Sequence, residues 1–81
     1  MTYYMFKRGI GRIVDCLAEK IETSGLDAAQ SYNSIFASVL SMFGVKYSAK
    51  LLTRENGSRY LEVHAKIHLW RVKVKREVKS C

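Results

Sequence analysis

Ten residues in the second half of the chain carry the clearest chemistry: the cations Lys46, Lys50, Arg54, Lys66, Arg71, Lys73, Lys75 and Arg76, with the aromatic residues Tyr60 and Trp70. Ammonium and guanidinium groups neutralise phosphates and release their counterions, and an aromatic ring gives a base a surface to stack on, at about 1–3 kcal/mol per base. Gathered on one face, these residues would bind nucleic acid through its backbone, largely without regard to sequence. The charge supports this grouping. Residues 1–43 hold four cations (Lys7, Arg8, Arg12, Lys20) and four anions (Asp15, Glu19, Glu22, Asp27), so the whole net charge of +7 falls in residues 44–81. Such asymmetry points to a polyanionic partner, DNA or RNA.

Other chemistry is poorly served. His64 and His68 are four apart, a chelating distance on a helix, but on a strand they stand about 13 Å from each other at roughly 3.3 Å per residue. Asp15 and Glu19 sit one helical turn apart beside Arg12 and Lys20, as on a solvated helix face. The serines between positions 31 and 41 have no histidine in their half of the chain to activate them. Asn56-Gly57-Ser58 fits a glycosylation acceptor, yet a hairpin turn explains it better. No phosphate loop, dinucleotide fingerprint or Cys/His cluster occurs. The expectation is a non-catalytic protein with no cofactor and no metal.

The elements that must position the ten residues follow from periodicity. Tyr3, Phe6, Ile10, Ile13, Leu17 and Ile21 recur at helical spacing and form one apolar stripe. Gly9 and Gly11 disfavour a helix by about 1 kcal/mol each relative to Ala, so Tyr3 to Phe6 could instead be a short strand. Ser24-Gly25-Leu26-Asp27 has the pattern of a capping box and predicts the start of a second helix. Ala29, Tyr32, Phe36, Val39, Leu40 and Phe43 form its stripe, and Gly44 is placed to end it in the left-handed conformation.

From Val45 the period becomes two. Val45, Tyr47, Ala49 and Leu51 alternate with polar residues, as do Leu61, Val63, Ala65, Ile67 and Leu69. A two-residue Asn-Gly turn would set Leu51 opposite Glu62. A three-residue loop, Glu55-Asn56-Gly57, sets Leu51 opposite Leu61 and Ala49 opposite Val63, which keeps apolar residues on one side. The outer face then carries Lys46, Lys50, Arg54, Lys66, Tyr60, His64, His68 and Trp70. Near Trp70 the apolar side passes from odd to even numbers, which predicts a bulge or break there. Beyond it the strand outruns its partner, so the 70–79 extension should pair with Tyr3 to Phe6 or with a second chain, making a homodimer.

At 81 residues the chain is one domain, with a helical half at about 8–43 and a basic β half at about 45–79. The expected class is α+β: two amphipathic helices packed on one face of a small antiparallel sheet, a long β-hairpin with a C-terminal extension. No apolar run reaches the roughly 20 residues of a membrane span and no secretory signal is evident, so a cytoplasmic location without a membrane is expected. Cys16 and Cys81 are too few for a disulfide framework and read as free thiols.

Two families offer partial likenesses. Ile13-Val14-Asp15-Cys16-Leu17-Ala18-Glu19-Lys20, followed by a turn, a second helix and a basic ribbon, resembles the helical hairpin and arm of the bacterial histone-like HU proteins, which bend DNA. The chain lacks that family's Gly-x-Gly-x-Phe strand entry, arm-tip proline and C-terminal helix. Gly9 through Val63 is similar to the helix-helix-hairpin of 4-vinyl-reductase-type ligand domains, though the cysteine-bearing C-terminal part is missing. The alternative function is of a different class: a small ligand-binding or interaction module, its pocket between helices and sheet lined by Tyr32, Phe36, Tyr47 and Leu51.

Overall fold

A computed structural model describes residues 2–79. The chain forms helices α1 (Tyr3–Ser24) and α2 (Leu26–Met42), then strands β1 (Lys46–Thr53), β2 (Arg59–Ile67) and β3 (Trp70–Val78). Both helices cover one face of a three-stranded antiparallel sheet of order β1-β2-β3, the α+β class expected.

Tyr3 to Phe6 is helix, correcting the strand alternative. Thr2 caps α1: its hydroxyl accepts from the Met5 amide at 3.2 Å and its carbonyl from the Phe6 amide at 3.1 Å. The first turn also packs against Trp70, whose ring lies 5.9 Å from that of Tyr3 and 6.2 Å from that of Phe6. A cap and a tertiary contact at one end outweigh the propensity loss at Gly9 and Gly11.

The expected capping box does not form. Ser24 is the last residue of α1, Gly25 turns the chain with φ +90, and α2 begins without a side-chain cap, Asp27 standing in its first turn. At the other end of α2, Gly44 adopts φ +78 as expected. Its amide donates to the Ser41 carbonyl at 3.0 Å and the Val45 amide to the Leu40 carbonyl at 2.9 Å, the paired bonds of a Schellman motif.

The first hairpin has the three-residue loop read from parity. Leu51 faces Leu61, Ala49 faces Val63, and Gly57 takes the left-handed position at φ +88. The Arg54 amide donates to the Ser58 carbonyl at 2.7 Å, and the Asn56 side-chain oxygen accepts from the Ser58 hydroxyl at 2.7 Å. Asn56 is thus engaged by its own turn.

The slip near Trp70 is the expected break, not a bulge, and the segment beyond it is not an extension. It is a second hairpin: Ile67 pairs with Trp70 across a two-residue turn at His68 and Leu69, with His68 at φ +53. A two-residue turn sets odd numbers against even, so Val72 meets Ala65 and Val74 meets Val63 on the helix-facing side. The parity change was real, and its cause is the turn. His-Leu lacks the Gly or Asn that announces such turns, which is why periodicity alone suggested a continuing strand. The 70–79 segment therefore finds its partner in β2 of its own chain, and the reason for a second chain at that edge disappears. It also folds back and does not project, unlike the arm implied by the HU resemblance.

The core gathers Phe6, Ile10, Val14, Leu17, Ala18 and Ile21 of α1 against Leu61, Val63 and Ala65 of β2 and Val72 and Val78 of β3, with Val45. From α2 only Ala29 is fully buried, with Phe36 and Leu40 partly so. No polar or charged residue is buried among the described residues.

Candidate nucleic-acid interface

With both helices on one side, the other side of the sheet is open. Strand registers place its side chains in four rows running across β1, β2 and β3. Lys46, Lys66 and Arg71 form the row nearest the β2–β3 turn. Ser48, His64 and Lys73 follow, then Lys50, Glu62 and Lys75, and last Leu52, Tyr60 and Glu77. Neighbouring strands are about 4.8 Å apart and same-side residues of one strand about 6.7 Å apart, so six cations share a closely spaced grid.

The structure thus unites Lys46, Lys50, Lys66, Arg71, Lys73 and Lys75, with Arg54 at the edge of the same face. Tyr60 lies there too, half-buried, with the Arg54 guanidinium 4.8 Å and the Lys75 ammonium 5.7 Å from its ring centre. Those contacts hold the cations over the ring.

Three residues assigned to this face from the sequence are elsewhere. Trp70 sits on the helix-facing side against Tyr3 and Phe6, where the turn at His68–Leu69 sends it. Arg76 also points to the helices, opposite Leu61 in register. Its guanidinium donates to the Asp15 carboxylate at 2.9 Å and to the Asp15 carbonyl at 3.1 Å. His68 belongs to the turn.

The sequence reading placed His64 on this face and passed over two participants, Ser48 and Glu62. Ser48 and His64, with Lys46, Lys66, Arg71 and Lys73, line a concavity of about 450 Å³ in the first two rows. Glu62, the second of them, stands next to it. Its carboxylate meets His64 Nε2 at 2.5 Å, Lys75 Nζ at 3.8 Å and Lys73 Nζ at 4.0 Å, with its side chain 13 % exposed. The hydrogen bond from His64 holds this carboxyl below its ordinary range, with further help from Lys73 and Lys75, while burial pulls the other way. Glu62 offsets part of the charge of the second and third rows, through Lys73 and Lys75, and the first row, Lys46, Lys66 and Arg71, holds no acid. The signal for both was their even numbering in β1 and β2, the parity that already assigned Lys46, His64 and Lys66.

On the helix side, the pocket expected between helices and sheet is differently built. A groove of about 270 Å³ runs between the α1–α2 turn and the first hairpin, lined by Leu17, Ile21, Ala29, Asn33, Leu51 and Leu61, among others. Leu51 belongs to it, as expected. Tyr32 instead faces outward under Lys20, whose ammonium lies 4.8 Å from its ring centre. Tyr47 donates to the Asn33 side-chain oxygen at 2.5 Å, tying β1 to α2, and burial pushes its hydroxyl up to about 12.

Among the described residues no helix is long and apolar enough to cross a membrane. Cys16 is an exposed free thiol, and Cys81 lies outside the described residues. Comparison of the chain with known protein families, with curated proteins and with solved structures finds no match in any of the three.

Proposed function

We propose that this protein binds nucleic acid, without catalysis and largely without regard to sequence, through the open face of its sheet. One observation carries the reading: Lys46, Lys50, Lys66, Arg71, Lys73 and Lys75 stand on one uncovered face, four of them around a concavity beside which no acid lies closer than Glu62. A polyanion laid along that face meets cations from three strands at once and releases counterions from each phosphate contacted. Tyr60 supplies the stacking surface. Trp70 and Arg76 have no part in it, because their side chains are committed to α1.

The alternative is a small ligand in the groove beside α2. At about 270 Å³ the groove falls just below the ~300–1,000 Å³ common for ligand pockets, so it ranks second.

Titration of a labelled DNA duplex, a DNA single strand and an RNA across a salt series tests the proposal. Micromolar or tighter binding that weakens steeply with salt is expected, and it should be lost in a Lys66→Glu, Lys73→Glu double variant. Absence of binding at about 50 mM salt would overturn it, since counterion release is strongest there.

A further inference from the structure

Helix α2 is apolar on two sides. Ala29, Phe36 and Leu40 turn inward, while Tyr32, Ile35, Val39 and Met42 are 41, 58, 47 and 84 % exposed on the outward side. Those four are spaced by three, four and three residues, which is the a/d pattern of a coiled-coil seam and narrower than the stripe of a helix lying on a core. Phe43, 71 % exposed, continues it at the helix end. Leaving such a seam in water is unfavourable, and its composition says what should cover it.

One border of the seam is Ser31 and Ser38, with Ser34 and Ser41 further round the helix, all short and uncharged, and Asp27 is the single charged residue of α2. A helix made to lie in an anionic bilayer surface carries Lys and Arg along its border, and α2 has neither. Nucleic acid would find no cation on the helix itself. An oppositely charged protein would find no charge to match.

A second copy of this chain meets every condition. Two chains of net charge +7 repel wherever cationic surfaces approach, and the outward face of α2 carries no cation of its own, with Lys20 of α1 over Tyr32 at one end of the seam. The seam is self-complementary when two α2 helices run antiparallel: Ile35 of one chain falls beside Val39 of the other, and Tyr32 beside Met42. The serine borders let the helices come close, and antiparallel macrodipoles attract. At 150–250 Å² for a large aromatic side chain, the five exposed residues present on the order of 600 Å², most of the ~800 Å² per partner of a standard interface before the serines are added.

We propose that this protein is a homodimer joined through the outward face of α2, packed as an antiparallel helix pair on Tyr32, Ile35, Val39 and Met42. This surface is independent of the open sheet face, so either proposal can fail alone.

Sedimentation equilibrium on the full chain tests it with two charged variants. Wild type should show twice the 9.3 kDa chain mass at tens of micromolar. A chain carrying Ile35→Glu with Val39→Glu, and another carrying Ile35→Lys with Val39→Lys, should each be monomeric with unchanged far-ultraviolet circular dichroism. Mixed one to one, they should recover the dimer mass, which damaged folding would not allow. A monomeric wild type, dimeric single variants, or a mixture that stays monomeric would each overturn the proposal, and vesicle binding by a monomeric wild type would assign the seam to a bilayer.

Discussion

Arg76 and Lys73 are three residues apart and look interchangeable in the sequence, yet they face opposite sides of the sheet. Replacing Lys73 with Ala should weaken nucleic-acid binding and lower the slope of log affinity against log salt by about one, as for one lost phosphate contact. Replacing Arg76 with Ala should leave that slope unchanged and lower stability by at most about 1 kcal/mol, because its pairing with Asp15 is exposed to solvent. Salt-series titration and urea unfolding of both variants separate the two roles. Glu62→Gln should tighten binding by a factor of a few, since an acid leaves the cationic face. Tyr47 allows a prediction of alkaline behaviour. Its hydroxyl ionises at its ordinary 10 in the unfolded chain and at about 12 in the folded one. The stability it contributes is therefore full below about pH 10 and is lost as pH rises through about 12. Urea midpoints followed over that range should fall in wild type and fall less in Tyr47→Phe, which should itself lose about 1 kcal/mol at neutral pH with the bond to Asn33. What the sequence showed at this scale was parity: every cation on an even number of β1 and β2 reached the open face. It was misleading beyond residue 68, where an unmarked turn reverses parity and moves Trp70 and Arg76 to the helix side.

Elements were legible where local chemistry and period agree. Gly44 ends α2 by the same backbone geometry that its position suggests, and Glu55-Asn56-Gly57 forms the loop that apolar pairing demands. They were illegible where tertiary contact decides. Helix α1 extends through Tyr3 to Phe6 because Trp70, from the far end of the chain, packs there. Helix α2 starts without the serine cap its sequence advertises. Two substitutions probe the element ends. Gly44→Ala should destabilise by about 1 kcal/mol through backbone conformation alone, since an added methyl would touch nothing. His68→Gly should stabilise by up to about 1 kcal/mol, because His68 holds φ +53 in the second hairpin. Were the strand continuous there, glycine would weaken it, so the sign of the shift in thermal midpoint reports which reading holds.

At the scale of the molecule, the body measures 37 × 24 × 16 Å and its charges are sorted along it. Helix α1 begins beside Trp70 with Lys7, Arg8 and Arg12, at the end where Lys46, Lys66 and Arg71 form the first row of the sheet. Asp15, Glu19 and Glu22 come later on α1, and Asp27 and Glu55 lie near the two turns at the opposite end, where these acids offset cations such as Arg54, Lys75 and Arg76, while the first end has cations without acids. The consequence is an electric dipole along the long axis in addition to the net charge. Near a polyanion the molecule feels a torque before it feels a contact, and it turns the His68–Leu69 end forward while still a Debye length away. Reversing Lys7 and Arg8 to Glu, which leaves the sheet face intact, should therefore slow association in stopped-flow mixing at low salt and leave dissociation unchanged, a distinction that an equilibrium titration would not reveal. Capture would be governed by orientation, and the residues that aim the molecule would not be those that hold it.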